Sequence, residues 1–249
     1  MNGFEMHSVK HSSISQINKW IDCPAAWVMS YLFNNKGSSS PAMWRGIFTE
    51  QAVADTITGK MKIDDAIKNA LKDFDGKTLF DDGSSAKERA NIEPMTKLAV
   101  EALEPYGKPD FPEDGQHRVS MNAKGENWEL EFMGYIDFKF PDHNLIIDLK
   151  TTMRMPSVMS IGHQRQRAFY QKSNGNAEVK FLYVTPKKCE FKEDGDVNEL
   201  MAEIKIHLTR QEAFLRLGDK EFIASVVPVN RDSFYWRGNE KVRKELFGI

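Results

Sequence analysis

Gly134-Tyr-Ile-Asp-Phe-Lys-Phe140, Pro141-Asp-His143, Asn144-Leu-Ile-Ile-Asp-Leu-Lys150: two apolar-rich runs flank a turn, and their pairing decides the fold. Pro, Asp, His and Asn between such runs favour a reversal, so the stretch is read as a β-hairpin. Pairing Phe140 with Leu145 across the turn fixes the register. Asp137 then lies opposite Asp148 and Tyr135 opposite Lys150, while Phe138 meets Ile147 and Ile136 meets Leu149. Strand side chains alternate between faces, so apolar residues gather on one face and Asp137, Asp148 and Lys150 on the other. Directly opposed carboxylates sit roughly 5 Å apart and repel. A hard divalent cation is the simplest compensation, because it takes carboxylate oxygens and keeps waters for a phosphate substrate. Lys150 would then orient an attacking water or stabilise charge on the phosphate. Ile146, on the polar side beside Asp148, points to a partly buried site. Parity alone leaves a solvated face of mixed charge as an equal reading.

Upstream, residues 117–150 keep the two-residue period, with Trp128, Leu130 and Phe132 alternating with polar neighbours. Residues 11–105 are helical in pattern. Ser13 and Gln16 fit a capping box, and Pro24 and Pro41 suit first helical positions. Ala66, Ile67, Ala70, Leu71 and Phe74 form one stripe, and Ile92, Met95, Ala99 and Leu103 another. Downstream come a helix at 161–172, a strand at 179–185 and a helix at 197–217, for which Gly218 is the expected C-cap. Residues 226–249 give no clear element. Helices around a sheet imply an α/β chain.

The balance of 34 basic and 36 acidic residues, net −2, argues against a nonspecific nucleic-acid coat but not against an enzyme with a local basic groove. No apolar run approaches the ~20 residues that span a bilayer, and residues 1–10 lack a secretory core. A soluble, cytoplasmic protein without a membrane partner is expected. Two cysteines, Cys23 and Cys189, cannot make a four-thiolate cluster.

The hairpin, Gly134–Asp137 followed by Ile146-Ile-Asp148-Leu-Lys150-Thr151, resembles the core of the PD-(D/E)XK nucleases, in particular the RecB-like exonuclease branch. Three further segments resemble that branch in the right order. They are the serine-rich stretch from His11 through Ser15 to Cys23-Pro24 and Tyr31, the Arg45-Gly46…Glu50 helix, and Gln166-Arg-Ala-Phe-Tyr170 as the Gln-x-x-x-Tyr motif. Each is weak alone; their common order is stronger.

The resemblance implies a single nuclease domain over 1–249. Within it, a central mixed sheet is flanked by helices, with a helical N-terminal region and a helical insertion at 60–105. The catalytic sheet and Gln-x-x-x-Tyr helix fall at 117–185. It implies Asp137, Asp148, Glu50 and the Leu149 main-chain carbonyl as ligands for one or two Mg²⁺ or Mn²⁺ ions, and Lys150 as the catalytic lysine. Gln166 and Tyr170 would touch the lysine, a water on the metal or a DNA phosphate. Ser13, Ser15 and Arg45 would meet the DNA backbone. Arg165 and Arg167 either add positive charge there or are solvated helix residues. Glu50 departs from the histidine usual at its position, yet remains a hard oxygen ligand. Several relatives hold an iron–sulfur cluster with four cysteines; only Cys23 has a counterpart here, so no cluster is expected and Cys23 is read as a buried helix-junction residue.

The activity implied is metal-dependent hydrolysis of DNA, most simply by an exonuclease acting at ends or on single strands in recombination, repair or phage replication. A recombination or single-strand-binding protein would be a further partner, and the 66–103 helices would cover the site. The alternatives are a non-catalytic DNA-binding subunit and a site-directed endonuclease.

Overall fold

Small polar side chains and prolines set where most helices begin. The computed structural model describes residues 1–79, 83–112 and 116–249. In chain order its elements are α1 (Gly3–Met6), β1 (His11–Ser12), α2 (Ile14–Asp22), α3 (Pro24–Tyr31), α4 (Pro41–Ile57), α5 (Ile63–Lys77), α6 (Ser85–Arg89) and α7 (Ile92–Leu103). Then follow β2 (His117–Lys124), β3 (Glu129–Ile136), β4 (Phe138–Phe140), β5 (Leu145–Thr151), α8 (Ile161–Ser173), β6 (Glu178–Val184) and β7 (Cys189–Lys192). The chain closes with α9 (Val197–Leu215), α10 (Lys220–Val226) and α11 (Glu240–Phe247). Ser13, Ser40, Ser160 and Asp196 cap α2, α4, α8 and α9 through their side-chain oxygens. Pro24 and Pro41 start α3 and α4, where a missing N–H costs nothing. Ser13 accepts from the Gln16 N–H, but the complete reciprocal box forms at Asn2 and Glu5. Gly218 is not the α9 cap; the helix ends with Arg216 in ordinary right-handed geometry. No helix among the described residues is long and apolar enough to cross a membrane.

The chain is α/β and divides into two compact units. The first comprises Met1–Ser38, Ser120–Gly134 and Asp196–Ile249. Its core sets Trp20 edge-on against Trp27, with centroids 5.7 Å apart, and tilts Phe214 against Trp20. Gly3 is required there, since a Cβ would come within 2.2 Å of the Glu212 carbonyl oxygen.

The second unit comprises Ser39–Val119 and Tyr135–Gly195. It holds a four-stranded mixed sheet in the order β4-β5-β6-β7, antiparallel, parallel, then antiparallel. Asn144, in the left-handed region that asparagine tolerates, turns the chain into β5. The hairpin register is the expected one: Phe138 pairs with Ile147, Lys139 with Ile146 and Phe140 with Leu145. On one face Ile147, Leu149, Leu182 and Val184 bury against Val53 and Ala54 of α4 and Met95, Ala99, Val100 and Leu103 of α7. Helix α8 covers the other face, where His163 lies against Phe181 and Tyr183.

Two expectations change. The strand read as 134–140 breaks at Asp137, because β3 ends at Ile136 and pairs in a separate sheet of order β1-β3-β2. Tyr135 and Ile136 therefore do not continue the hairpin, and 117–136 does not join the sheet that carries Asp148. The 60–105 segment is helical as expected, with 80–82 outside the described residues, but α7 is no cover for the site. It forms the floor of the core on the apolar face of the sheet.

Phe138 is fully buried in that core. Phe138→Ala is expected to lower stability by roughly 3–5 kcal/mol in denaturant unfolding of the second unit. Val158→Ala, at an exposed position, is expected to stay within about 0.5 kcal/mol. Equal effects would mean that the β4–β5 core is misplaced.

Candidate functional site

Alternation along β5 sends Ile147 and Leu149 into the core and leaves Asp148 and Lys150 facing α8. The parallel neighbour β6 sets Phe181 beside Asp148 and Tyr183 beside Lys150. The Lys150 ammonium lies 5.3 Å from the Phe181 ring centroid and ion-pairs with Asp148 Oδ1. The other carboxylate oxygen, Oδ2, accepts from Gln166 Nε2 at 3.1 Å. Gln166 spends its second amide proton on the Tyr170 hydroxyl, 2.8 Å away, and Tyr170 donates in turn to the Tyr135 carbonyl. Residues four apart on α8 thus act as one chain of donors.

Asp137 reaches the same place from the break after β3. Its Oδ2 accepts the Leu149 N–H at 2.8 Å, a backbone donor in the middle of β5. Its Oδ1 accepts from Gln116 Nε2 at 2.8 Å, and the same nitrogen donates to Glu50 Oε1 at 2.6 Å. Glu50 comes from α4, which packs on β5. Three carboxyls, one ammonium and two glutamine amides therefore share one cluster, with Asp148 only 1% and Asp137 8% exposed.

Burial sets the electrostatics. It raises Glu50 to about 7, with the Asp148 charge adding and Lys150 opposing. It raises Asp137 well above the usual carboxylate range, and Asp148 and Glu50 push the same way. Asp148 is also raised by burial, against the pull of Lys150. Burial alone would lower Lys150, but Asp148, Asp137 and Glu50 outweigh it and hold the ammonium charged. Tyr170 is raised well above its ordinary value by burial and by the Asp148 and Asp137 charges.

Glu50 and Asp137 open onto a cleft of about 1030 Å³, walled by Ile47, Asp55, Lys60 and Lys108 among others. Lys60 is paired with Asp55 at 3.0 Å. Such a set of hard oxygens is suited to a divalent cation. As the side chains stand, no three His, Cys, Asp or Glu groups among the described residues form a ready-made ligand set. Gln116, Lys150, Gln166 and the Leu149 N–H are the groups placed against the carboxylates.

The structure thus brings together Glu50, Asp137, Asp148, Lys150, Gln166 and Tyr170, with Leu149 contributing its N–H. The other expected residues stand differently. Arg45 is 5% exposed, pairs with Glu88 of α6 and reaches the Thr151 carbonyl and hydroxyl at 3.4 Å. It braces α6 to the end of β5 and does not face solvent. Arg165 is buried, not a solvated helix residue. Arg167 donates to the Val179 and Gly195 carbonyls at 3.1 and 3.2 Å. Ser13 and Ser15 belong to the first unit, where their hydroxyls bond each other at 3.0 Å. Cys23 is buried at the α2–α3 junction, as expected, while Cys189 lies on β7 in the second unit.

Sequence reasoning missed two members. Gln116 lies outside any helix or strand, and no periodicity marks it. His163 lies one turn before Gln166, a spacing that does place it on the site face of α8. Its Nδ1 is 2.5 Å from the Tyr183 hydroxyl, and burial with the nearby Lys150 charge lowers it to about 4. The ring is therefore neutral at pH 7.

No family model matches the chain, and no curated protein matches it. Among solved structures, one described as "Crystal structure of SSO0001" is similar over 50% of this chain and 68% of that one, at 15% identity and a TM-score of 0.35. A likeness that slight carries no argument about fold or function.

The raised carboxyls fix a sign. A carboxyl whose folded pKa exceeds its unfolded value contributes stability that is complete below about pH 4 and is lost as pH rises through the folded value. Glu50, Asp137 and Asp148 are all raised, so with EDTA present this contribution fades from pH 4 toward and beyond 7. Asp137→Asn removes one such group. Melting temperatures of parent and variant are expected to diverge in the variant's favour between pH 5 and 8, whatever constant offset the lost hydrogen bond adds. Parallel curves would overturn the assignment of Asp137 as a buried, reluctant acid.

Proposed function

We propose that the chain is a divalent-cation-dependent nuclease of the PD-(D/E)XK kind that hydrolyses DNA phosphodiester bonds, most simply from an end. The observation that carries this is the gathering of Glu50, Asp137, Asp148, Lys150 and Gln166 from α4, the β3–β4 break, β5 and α8 into one desolvated cluster. A structural ion pair would need one carboxylate for Lys150; three are present.

The donor set fits Mg²⁺ or Mn²⁺. All three acids supply hard oxygens, and burial first, joined at Glu50 and Asp137 by neighbouring carboxylate charge, raises all three, a cost that a bound cation would offset. Glu50, Asp137 and Asp148 would hold the cation, which when bound acidifies water and neutralises phosphate charge. The rest is the work of the chain's own groups. Gln166, tied to Tyr170 and through it to the Tyr135 carbonyl, fixes the Asp148 carboxylate. The Leu149 N–H does the same for Asp137. Lys150, 24% exposed at its side chain, is the cation able to meet an attacking water or a developing phosphate charge. Low surrounding polarity strengthens that interaction.

Arg45 reads as a brace between α6 and β5, so cleft lysines such as Lys108 replace it as candidates for phosphate contact. Ser13 and Ser15 remain proposed DNA contacts on the resemblance alone. Recombination, repair or phage replication in the cytoplasm is the setting the proposal carries with it. A second reading, a non-catalytic DNA-binding subunit, draws on Gln116, whose amide bridges Glu50 and Asp137. Divalent-ion binding without cleavage would favour it.

The deciding experiment incubates the protein with Mg²⁺ and single- and double-stranded DNA labelled at either end. Asp148→Ala and Lys150→Ala are each expected to slow cutting by at least about 100-fold. Cutting by both variants at the parent's rate would sink the proposal. Ladders from one end mark an exonuclease, and one discrete fragment an endonuclease.

A further inference from the structure

Gln116 makes an unusual pair of contacts. One nitrogen, with two protons, donates to Glu50 Oε1 at 2.6 Å and to Asp137 Oδ1 at 2.8 Å, which exhausts its donors on two carboxyls. Those carboxyls come from different elements, α4 and the β3–β4 break, and both line the cleft, as Gln116 itself does. A neutral amide can satisfy hydrogen bonds there but supplies no net charge. A small cation between two oxygens would sit nearer to each, at about 2.0–2.1 Å for Mg²⁺.

We propose that Gln116 is a competitor for the cation: its amide occupies the place between Glu50 and Asp137 that a divalent ion takes, and must leave for that ion to bind. The inference rests on the nuclease reading and adds a residue to it. Gln116 acts by holding two ligands together in the cation's stead and by setting how readily they exchange it for metal. Two hydrogen bonds to acidic groups are given up on exchange, so Gln116 weakens cation binding compared with a side chain that cannot reach. A residue needed only to shape the site would have the opposite effect, since its loss would loosen the ligands and weaken binding.

The test is Mn²⁺ titration of the whole chain by calorimetry at pH 7.5, for the parent, Gln116→Ala and Gln116→Asn, whose shorter amide cannot span both carboxyls. Gln51→Ala, also on the cleft but making no hydrogen bond to the acids, is the control. Both Gln116 variants are expected to bind Mn²⁺ about tenfold more tightly, a difference of about 1.4 kcal/mol, with the control unchanged. Binding by the variants where the parent binds none supports the proposal more strongly still. Variants that bind equally or more weakly, while melting at the parent's temperature, overturn it; if the parent still cuts DNA in an Asp148-dependent way, the nuclease reading survives that result. Absence of Mn²⁺ binding in all four proteins overturns both.

Discussion

Three carboxyl groups converge on one ammonium where little water reaches, and most of their surroundings answer that cost. Withdrawing an ionised carboxylate from water costs several kcal/mol unless charge or hydrogen bonds replace the lost solvation. Each acid here is answered by something: Asp148 by Lys150 and Gln166, Asp137 by the Leu149 N–H and Gln116, Glu50 by Gln116. Four groups make these five contacts, yet of the four only Lys150 brings positive charge. With all groups ionised the cluster would be two charges short; burial pushes Glu50 to about 7 and Asp137 well above its usual range, and the neighbouring carboxylate charge pushes the same way.

The sheet makes this possible. β5 is buried on both faces, which demands apolar residues on one and self-satisfied polar residues on the other. Its apolar face is fixed by Ile147 and Leu149 against α4 and α7. Its other face is closed by α8, where Gln166, Tyr170 and His163 supply partners instead of methyl groups. The neutral His163 ring beside Tyr183 avoids adding a second buried cation next to Lys150. Packing and electrostatics are thus divided between alternate residues of a single strand.

How much of this could be read from the sequence follows from how local each signal is. The β4–β5 register was legible because turn residues and alternating apolar positions specify it within 17 residues, and Asp148, Lys150, Gln166 and Tyr170 lie on regular elements with the right period. The break at Asp137 was not, because Tyr135 and Ile136 look like more of the same strand; their pairing in another sheet is a tertiary choice. That α7 lies under the sheet and not over the site is hidden too, because its amphipathic stripe says that it packs, not on what. The place of Arg45 is hidden for a related reason: nothing near it announces Glu88, 43 residues on. Gln116 carries no pattern at all and becomes visible only when Glu50 and Asp137 are placed on either side of it.

The Leu149 N–H that holds Asp137 has a consequence for how the protein fails. Because a main-chain group of the central strand anchors this acid, Asp137 is tied to the stability of β5 itself. Side-chain sites on surface loops can loosen well below the temperature at which a fold is lost; here the strand must open before Asp137 is released. Warming therefore keeps Asp137 in place until β5 leaves the sheet, while Glu50, held only through Gln116, is free to part from it earlier.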